Sequence, residues 1–449
     1  MTRDNLEKIL EQLRIELEAD QFDTAIAVIE SLRAPDQADV FTELDDEKQL
    51  RLLRKLKPEI SADILEELAE EEAASVASAL PTNTAIRIID AMEPDEAADL
   101  LGDITSDRAQ RILAGLDNPE EVRPLLLHPD DSAGGLMTSE FLALRRRMTA
   151  GDALKAIHQW KPDTENVYYL FVVDGQQHLC GVVSLRQLIV AEENALLGDF
   201  MDPNVISVPV GTDQEECARL MSRYDLLALP VVDVENKLLG VIYVDDVIEV
   251  LEDEATEDIQ RFGGAQPLDQ PYLTTKVATV ARKRMGWLLL LFLTESLTGS
   301  VLRFFEKELQ SVVALAFFVP LLIGTGGNAG SQTTSTVIRA LAVGDIKLED
   351  ALRSLWHELR VGLLLGLGMS TFAYFRALTW SSTPALALTV AAAIMTIVVW
   401  ANGLGAMLPL LAAKIKIDPT IVSGPVMSTL VDATGLFIYF SIAHFLLGI

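Results

Sequence analysis

Residues 420–448 read TIVSGPVMSTLVDATGLFIYFSIAHFLLG, an apolar stretch long enough to cross a bilayer and interrupted by a single acid, Asp432. Four further stretches of spanning length precede it, at about 286–304, 311–338, 361–380 and 384–413. Five membrane helices are expected, since no soluble domain of this size strings together such runs. The connections carry a charge bias. With a cytosolic N-terminus, the inside segments hold Lys276, Arg282, Lys283, Arg284, Arg339, Lys347, Arg353, Arg360, Lys414 and Lys416, against Arg303, Lys307 and Arg376 outside. That excess predicts a multi-pass protein of the cell membrane, with its C-terminus outside.

A lone carboxylate in a membrane helix costs about 2.5–3.5 kcal/mol on insertion scales, and such residues commonly mark ion pathways. No Lys or Arg lies near Asp432 on its own stretch, whereas Ser423, Ser428, Thr429 and Thr434 supply small polar groups. A cation is the natural partner. The second stretch contains Pro320 and then Gly324-Thr325-Gly326-Gly327-Asn328-Ala329-Gly330-Ser331-Gln332. Glycines so dense weaken a helix, and in lipid any freed backbone must be satisfied by protein or water. One reading is close helix packing through small residues. The other is backbone that lines a polar path, and Asp432 favours it. Glu295, a second intramembrane acid, stands open between pore, interhelical hydrogen bond and interfacial snorkelling.

Upstream the composition changes. Residues 1–270 carry 57 acids and 23 bases, residues 271–449 only 9 acids and 13 bases. So acidic a surface excludes nucleic acid as a partner, because phosphate backbones demand Lys and Arg. It invites hard divalent cations. Cys180 and Cys217 form no CxxC, and the five histidines no HExxH, so a thiolate zinc site or metalloprotease is unsupported. No nucleophile with a base and no Walker loop is found, so an enzyme is not expected. The first residues are charged and amphipathic, without the apolar run of a signal peptide, and the acidic half is expected to stay in the cytosol.

Two repeat systems divide that half. Residues 56–116 repeat every 12, phased by Leu56, Leu68, Leu80, Met92, Ile104 and Leu116, with Pro58, Pro81 and Pro94 placed to open helices. A small helical solenoid is expected. Most of its acids read as a solvated face. Asp63, Asp95 and Asp99 are the exception, read as lying at or near helix starts, with Asp95 and Asp99 repelling each other across one turn. The second system places Val172-Val173-Asp174, Leu179 and Gly181 at an offset of 59 from Val231-Val232-Asp233, Leu238 and Gly240. Each half opens on a methionine, Met137 or Met201. Strand, tight polar turn, strand and helix start recur in order, which resembles a pair of CBS modules. Such pairs often bind adenosine nucleotides through Ser/Thr-x-x-Asp after the glycine. Here the pattern is divided, with Gln187 at the acid position after Ser184 and Tyr243 at the hydroxyl position before Asp246. ATP is therefore a doubtful ligand.

The segment Asp245–Asp258 holds eight acids. Val247, Ile248, Leu251, Ala255, Ile259 and Phe262 mark an apolar helical stripe. Glu249, Asp253 and Glu257 recur every four residues with like charges stacked, a helix that divalent cations would stabilise.

Together these segments resemble the MgtE family of magnesium channels and transporters over nearly the whole chain. The carriers are Pro320 with Gly324–Gln332, Val431-Asp432-Ala433-Thr434-Gly435, the acidic helix, and Gly134-Gly135-Leu136-Met137. The resemblance implies an all-α N-terminal helical solenoid at 1–130, an α/β CBS-domain pair at 131–251, an acidic connecting or plug helix at 252–275, and a five-helix transmembrane domain at 276–449. It implies a homodimer through the CBS and transmembrane domains, with Mg2+ as both substrate and regulator. Asp432 would be the pore acid, helped by a backbone carbonyl near Ser428. Regulatory Mg2+ positions would fall on Asp63, Asp95 and Asp99, on Asp213, Glu215, Asp225 and Asp246, and on Glu249, Glu254, Glu257, Asp258 and Asp418. Tyr243 and Gly424 depart from the family pattern, as does Glu295. A broader divalent-cation transporter for Co2+, Mn2+ or Ni2+, a CBS-gated anion channel, and a membrane-anchored metal sensor without transport are the rivals.

Overall fold

The computed structural model describes residues 3–19, 21–160, 168–268, 272–273, 275–380, 383–422 and 424–449. The chain forms two compact units, Met1–Asp253 and Glu254–Ile449.

In the first unit, helices begin at residues 22, 34, 46, 58, 70, 82, 94 and 106, a spacing of 12 that starts earlier than the sequence pattern suggests. Each of these from Ala34 to Ser106 packs on the helix next but one, so the solenoid turns every two helices. Its core is the inward row of each helix, for example Ile64 and Leu65 on α1 (Pro58–Glu66) and Leu100 and Leu101 on α2 (Pro94–Asp103). The fourth position of each helix faces the end of its predecessor. There Gln37 donates to the Ile29 and Leu32 carbonyls, and Gln49 to the Phe41 carbonyl. The Ile29 and Phe41 carbonyls also accept the backbone N–H groups of Leu32 and Leu44, so the glutamine amides add a second bond at each helix end. Pro58 and Pro94 stand in the first helical turn, while Pro81 is the capping residue before Thr82–Ile89.

Two three-stranded sheets follow, β1 (Ala143–Arg145), β2 (Tyr169–Val173) and β3 (Leu179–Ser184), then β4 (Val208–Pro209), β5 (Ala228–Val232) and β6 (Leu238–Tyr243). Each pairs its first two strands in parallel and its last two antiparallel. Val172 opposes Gly181 and Val231 opposes Gly240, each beside a bulge, so the 59-residue offset is a register identity. The glycines are needed because methionines lie on them. Met201 covers Gly181 and Met137 covers Gly240, so each repeat's opening methionine packs on the other repeat. After β3 comes α3 (Leu185–Val190), and after β6 comes α4 (Val244–Phe262). Of the apolar stripe on α4, Val247 is buried, whereas Ile248, Leu251 and Ile259 are exposed.

The second unit holds five helices long and apolar enough to span a bilayer: α5 (Val277–Phe304), α6 (Ala314–Ala342), α7 (Ala351–Thr379), α8 (Pro384–Lys414) and α9 (Gly424–Leu447). α5 and α7 begin some ten residues before the apolar runs that announce them, carrying charged residues within the helix. The core lies on α8, where Ile394, Ile397 and Ala401 meet Met427, Val431 and Tyr439 of α9. The Tyr439 hydroxyl donates to the Leu315 carbonyl at 3.1 Å, pinning α9 to the first turn of α6.

Candidate cation sites

On the solenoid, α1 and α2 bring their acids toward the start of α4. Glu66 accepts the Glu93 backbone N–H at 3.0 Å and so serves the N-terminus of α2 across 27 residues. Asp95 follows in the first turn of α2 and is buried, 7% exposed, with its Oδ1 lacking any hydrogen-bond partner among the described residues. Asp63 and Asp99 lie in the bodies of their helices, correcting their placement at helix starts. From the other side Asp246 reaches in, its Oδ2 accepting the Tyr243 backbone N–H at 3.2 Å.

The carboxylates pay for this crowding in acidity. Burial, then the charges of Asp95, Asp99, Glu66 and Glu249, pushes Glu96 up to about 9. Burial, then Asp95 and Asp245, pushes Asp246 up to about 8 against the Tyr243 N–H. Glu93 and Asp99 rise to about 8, again by burial first and neighbouring acids second. Glu66 rises to about 7 and Asp95 to about 6, both from burial partly offset by hydrogen bonds. Asp63 and Glu249 are raised too, chiefly by burial. Among the described residues no Lys or Arg pairs with any of these eight. Nor do any three of His, Cys, Asp and Glu close on one point as a preformed cage. The arrangement is an extended field of raised acids with one orphaned oxygen, which suits ions that keep much of their water.

Of the residues named from the sequence, Asp63, Asp95, Asp99, Asp246 and Glu249 lie in this field; Glu66, Glu93 and Glu96, which the sequence reading did not name, lie there with them. The signal available was helical spacing, since Glu66 stands three residues after Asp63, and Glu96 and Glu93 stand three and six residues before Asp99. Asp213 and Asp225 are engaged with one helix, Gln214–Tyr224. Asp213 caps its start by accepting the Glu215 backbone N–H at 3.0 Å, and Asp225 closes it in a left-handed conformation with φ of 52°. Glu215 stands in that helix's first turn. The divided nucleotide motif is occupied by capping: Gln187 donates its backbone N–H to the Ser184 hydroxyl at 3.2 Å, and Ser184 N–H donates to Gln187 Oε1 at 2.9 Å.

In the second unit, the last turns of α4 carry Glu254, Glu257, Asp258 and Arg261. The stack of like charges is relieved at one member only, which corrects the sequence reading there: Arg261 pairs with Glu257 and with Asp418, whereas Glu249 keeps Asp253 as a like-charged neighbour. Asp418 also accepts the Thr420 backbone N–H at 2.8 Å. Burial opposes its charge, yet the bonds from Thr420 and Arg261 outweigh burial and hold it below the ordinary carboxylate range. Asp258 is raised, by burial first and by Asp418, Glu254 and Glu257 after it.

Asp432 sits half-buried on α9. No described residue pairs with it as a cation or donates it a hydrogen bond, and the charge within its electrostatic reach is another acid, Glu295 of α5. Thr429 donates to the Pro425 carbonyl and Thr434 to the Leu430 carbonyl, so neither hydroxyl proton is offered to Asp432. Ser423 lies outside the described residues. α6 stays helical through Gly324–Gln332. A side chain at Gly326 would strike Val431 and Ile397, and one at Gly330 would strike Met427, both at under 3 Å. Gly327 faces Ser428, its missing Cβ only 3.2 Å from the hydroxyl. Close packing therefore accounts for three glycines, which seat α6 beside the Asp432 helix, while Gly324 has open space around it.

Comparison with known proteins follows this division. The MgtE divalent cation transporter family matches residues 319–442, the MgtE intracellular N domain residues 32–131, and CBS domains residues 133–194 and 197–253. The Magnesium transporter MgtE of Thermus thermophilus is 46% identical over 327 residues, 73% of this chain and 72% of the relative. This chain belongs to the MgtE family. The Bacillus subtilis MgtE is 36% identical over 72% of this chain and 71% of its own length. Among solved structures, the cytosolic domain of the Mg2+ channel MgtE in complex with ATP covers 54% of this chain and 99% of its own, at 36% identity and a TM-score of 0.52. With its five apolar helices, the MgtE chain is a membrane protein, and its family is one of transporters.

Proposed function

We propose that this protein carries Mg2+ across the cell membrane into the cytosol and is closed by cytosolic Mg2+. The observation that carries the reading is Asp432, a membrane carboxylate with no cation to neutralise it among the described residues. Mg2+ dehydrates reluctantly and keeps several waters, so a path with one carboxylate per chain suits it better than an all-protein cage. In a homodimer two copies of Asp432 face one path. The acidic domains lie in the cytosol and the C-terminus outside. When cytosolic Mg2+ is low, repulsion loosens the solenoid from the CBS pair. When it is high, ions shared among Glu66, Asp95, Glu96, Asp246 and Glu249 hold them together, and α4 conveys the closed state. The shift is set by differential ion affinity of the two states.

The Magnesium transporter names of the relatives support Mg2+ as cargo over the broader divalent reading. The test is Mg2+ uptake into liposomes by the full chain and by Asp432→Ala. The expected result is uptake that the substitution abolishes. Uptake unchanged in the variant removes Asp432 from the path, and no uptake in either leaves a sensor without transport.

A further inference from the structure

A second polar cluster lies among the membrane helices, and it uses none of the residues above. Glu358 stands in the second turn of α7, half-buried in a candidate span. Thr333 of α6 donates its hydroxyl to Glu358 Oε2 at 3.2 Å, and Asn402 of α8 donates its side-chain amide to the same oxygen at 3.4 Å. Thr334 stands beside Thr333. Glycines bring the three helices together here. The missing Cβ of Gly362, one turn beyond Glu358, would lie 3.1 Å from the Asn402 Cβ. That of Gly405 would lie 2.7 Å from the Gly330 carbonyl oxygen and 3.1 Å from the Thr334 hydroxyl.

The cluster leaves buried acceptors without donors. Asn402 is 1% exposed and Thr334 fully buried, yet Asn402 Oδ1 and Thr334 Oγ1 have no hydrogen-bond partner among the described residues. Both donors that reach Glu358 converge on one oxygen and leave these acceptors empty. A buried acceptor without a partner costs about 1–3 kcal/mol, and an ionised carboxylate in a membrane helix costs more. A proton on Glu358 adds one donor and can serve one of the two acceptors. A cation seated between them would serve both. The available atoms are all oxygens, from a carboxylate, an amide and two hydroxyls, which is a hard-cation set. One carboxylate neutralises one positive charge, and the close helix approach leaves little room for the water that Mg2+ retains.

We infer that Glu358, Asn402, Thr333 and Thr334 form a site for a small monovalent cation of sodium's class, separate from the Asp432 path. The test uses the full chain in detergent, with thermal unfolding and 22Na+ binding followed as NaCl replaces choline chloride at constant ionic strength. Saturable Na+ binding that stabilises the wild type, is lost in Glu358→Gln and is weakened about tenfold, some 1.4 kcal/mol, in Thr334→Val supports the site. Should Glu358→Gln not fold, Thr334→Val alone decides. Absence of Na+ binding in the wild type, equal binding in the variants, or stabilisation by acid with no response to Na+ overturns it. None of these readouts uses Mg2+ flux, so they stand apart from the transport reading.

Discussion

In residues 1–253, Glu66, Glu93, Asp95, Glu96, Asp99 and Asp246 are crowded together with no basic partner and pushed up to between about 6 and 9. In residues 254–449 Glu257 and Asp418 share Arg261, and Asp432 has no cation among the described residues. The difference separates two tasks. Crowded, half-desolvated carboxylates store repulsion that a cation or a proton relieves, so the stability of their packing reports ion concentration. A lone membrane acid attracts one ion without a cage to detain it, as conduction requires.

The sharpest way to break the comparison is to remove each acid type in turn. Asp432→Ala in the full chain is expected to lower Mg2+ uptake into liposomes by at least about tenfold, or 1.4 kcal/mol, with thermal unfolding little changed. Loss of folding instead would make Asp432 a packing residue.

Deleting residues 1–130 takes Asp63, Glu66, Glu93, Asp95, Glu96 and Asp99 away and leaves every membrane helix. Conduction is expected to survive, with the Mg2+ inhibition midpoint raised about tenfold, again 1.4 kcal/mol, in patch recordings. An unchanged midpoint would make these acids a solvated face.

A smaller effect comes from pH. These carboxyls titrate near 4 when free and higher when crowded, so packing is stabilised below about pH 4 and loses that stabilisation as pH rises through the range of about 6 to 9. Without Mg2+, thermal unfolding of the full chain is expected at lower temperature at pH 8.5 than at pH 6, and added Mg2+ should restore more at pH 8.5. Equal Mg2+ stabilisation at both would remove the crowd from ion binding.

The smallest effect expected is that of nucleotide. Although a solved relative is described in complex with ATP, Ser184 here is spent on capping α3, and Tyr243 stands where a hydroxyl residue is expected. ATP titrated into the full chain is expected to bind more weakly than micromolar, and micromolar affinity would contradict this.

The sequence made some of this plain and hid the rest for physical reasons. The 59-residue offset was legible because strand register repeats it and Gly181 and Gly240 carry methionines. The solenoid's first helices were hidden because Gln37 and Gln49, which bond the preceding helix end, stand where Ala73, Ala85, Ala97 and Ala109 stand in the later repeats. Asp432 stood out against an apolar run, whereas Glu358 did not, since α7 starts before its apolar run and buries the acid among charged neighbours. The pairing of Arg261 with Asp418, 157 residues away, is tertiary and leaves no local signal. Glu66, Glu93 and Glu96 read as surface because single acids on a helical repeat usually are.

The central claim is that the crowd around Asp95 and Asp246 senses Mg2+ without carrying it. Recording current through the full-length Asp95→Asn/Asp246→Asn protein across a range of cytosolic Mg2+ tests it directly. The expected result is full current at low Mg2+ with an inhibition midpoint moved upward by about tenfold or more, at 1.4 kcal/mol per decade. Wild-type inhibition in this variant, or loss of current with the midpoint unmoved, would contradict the account.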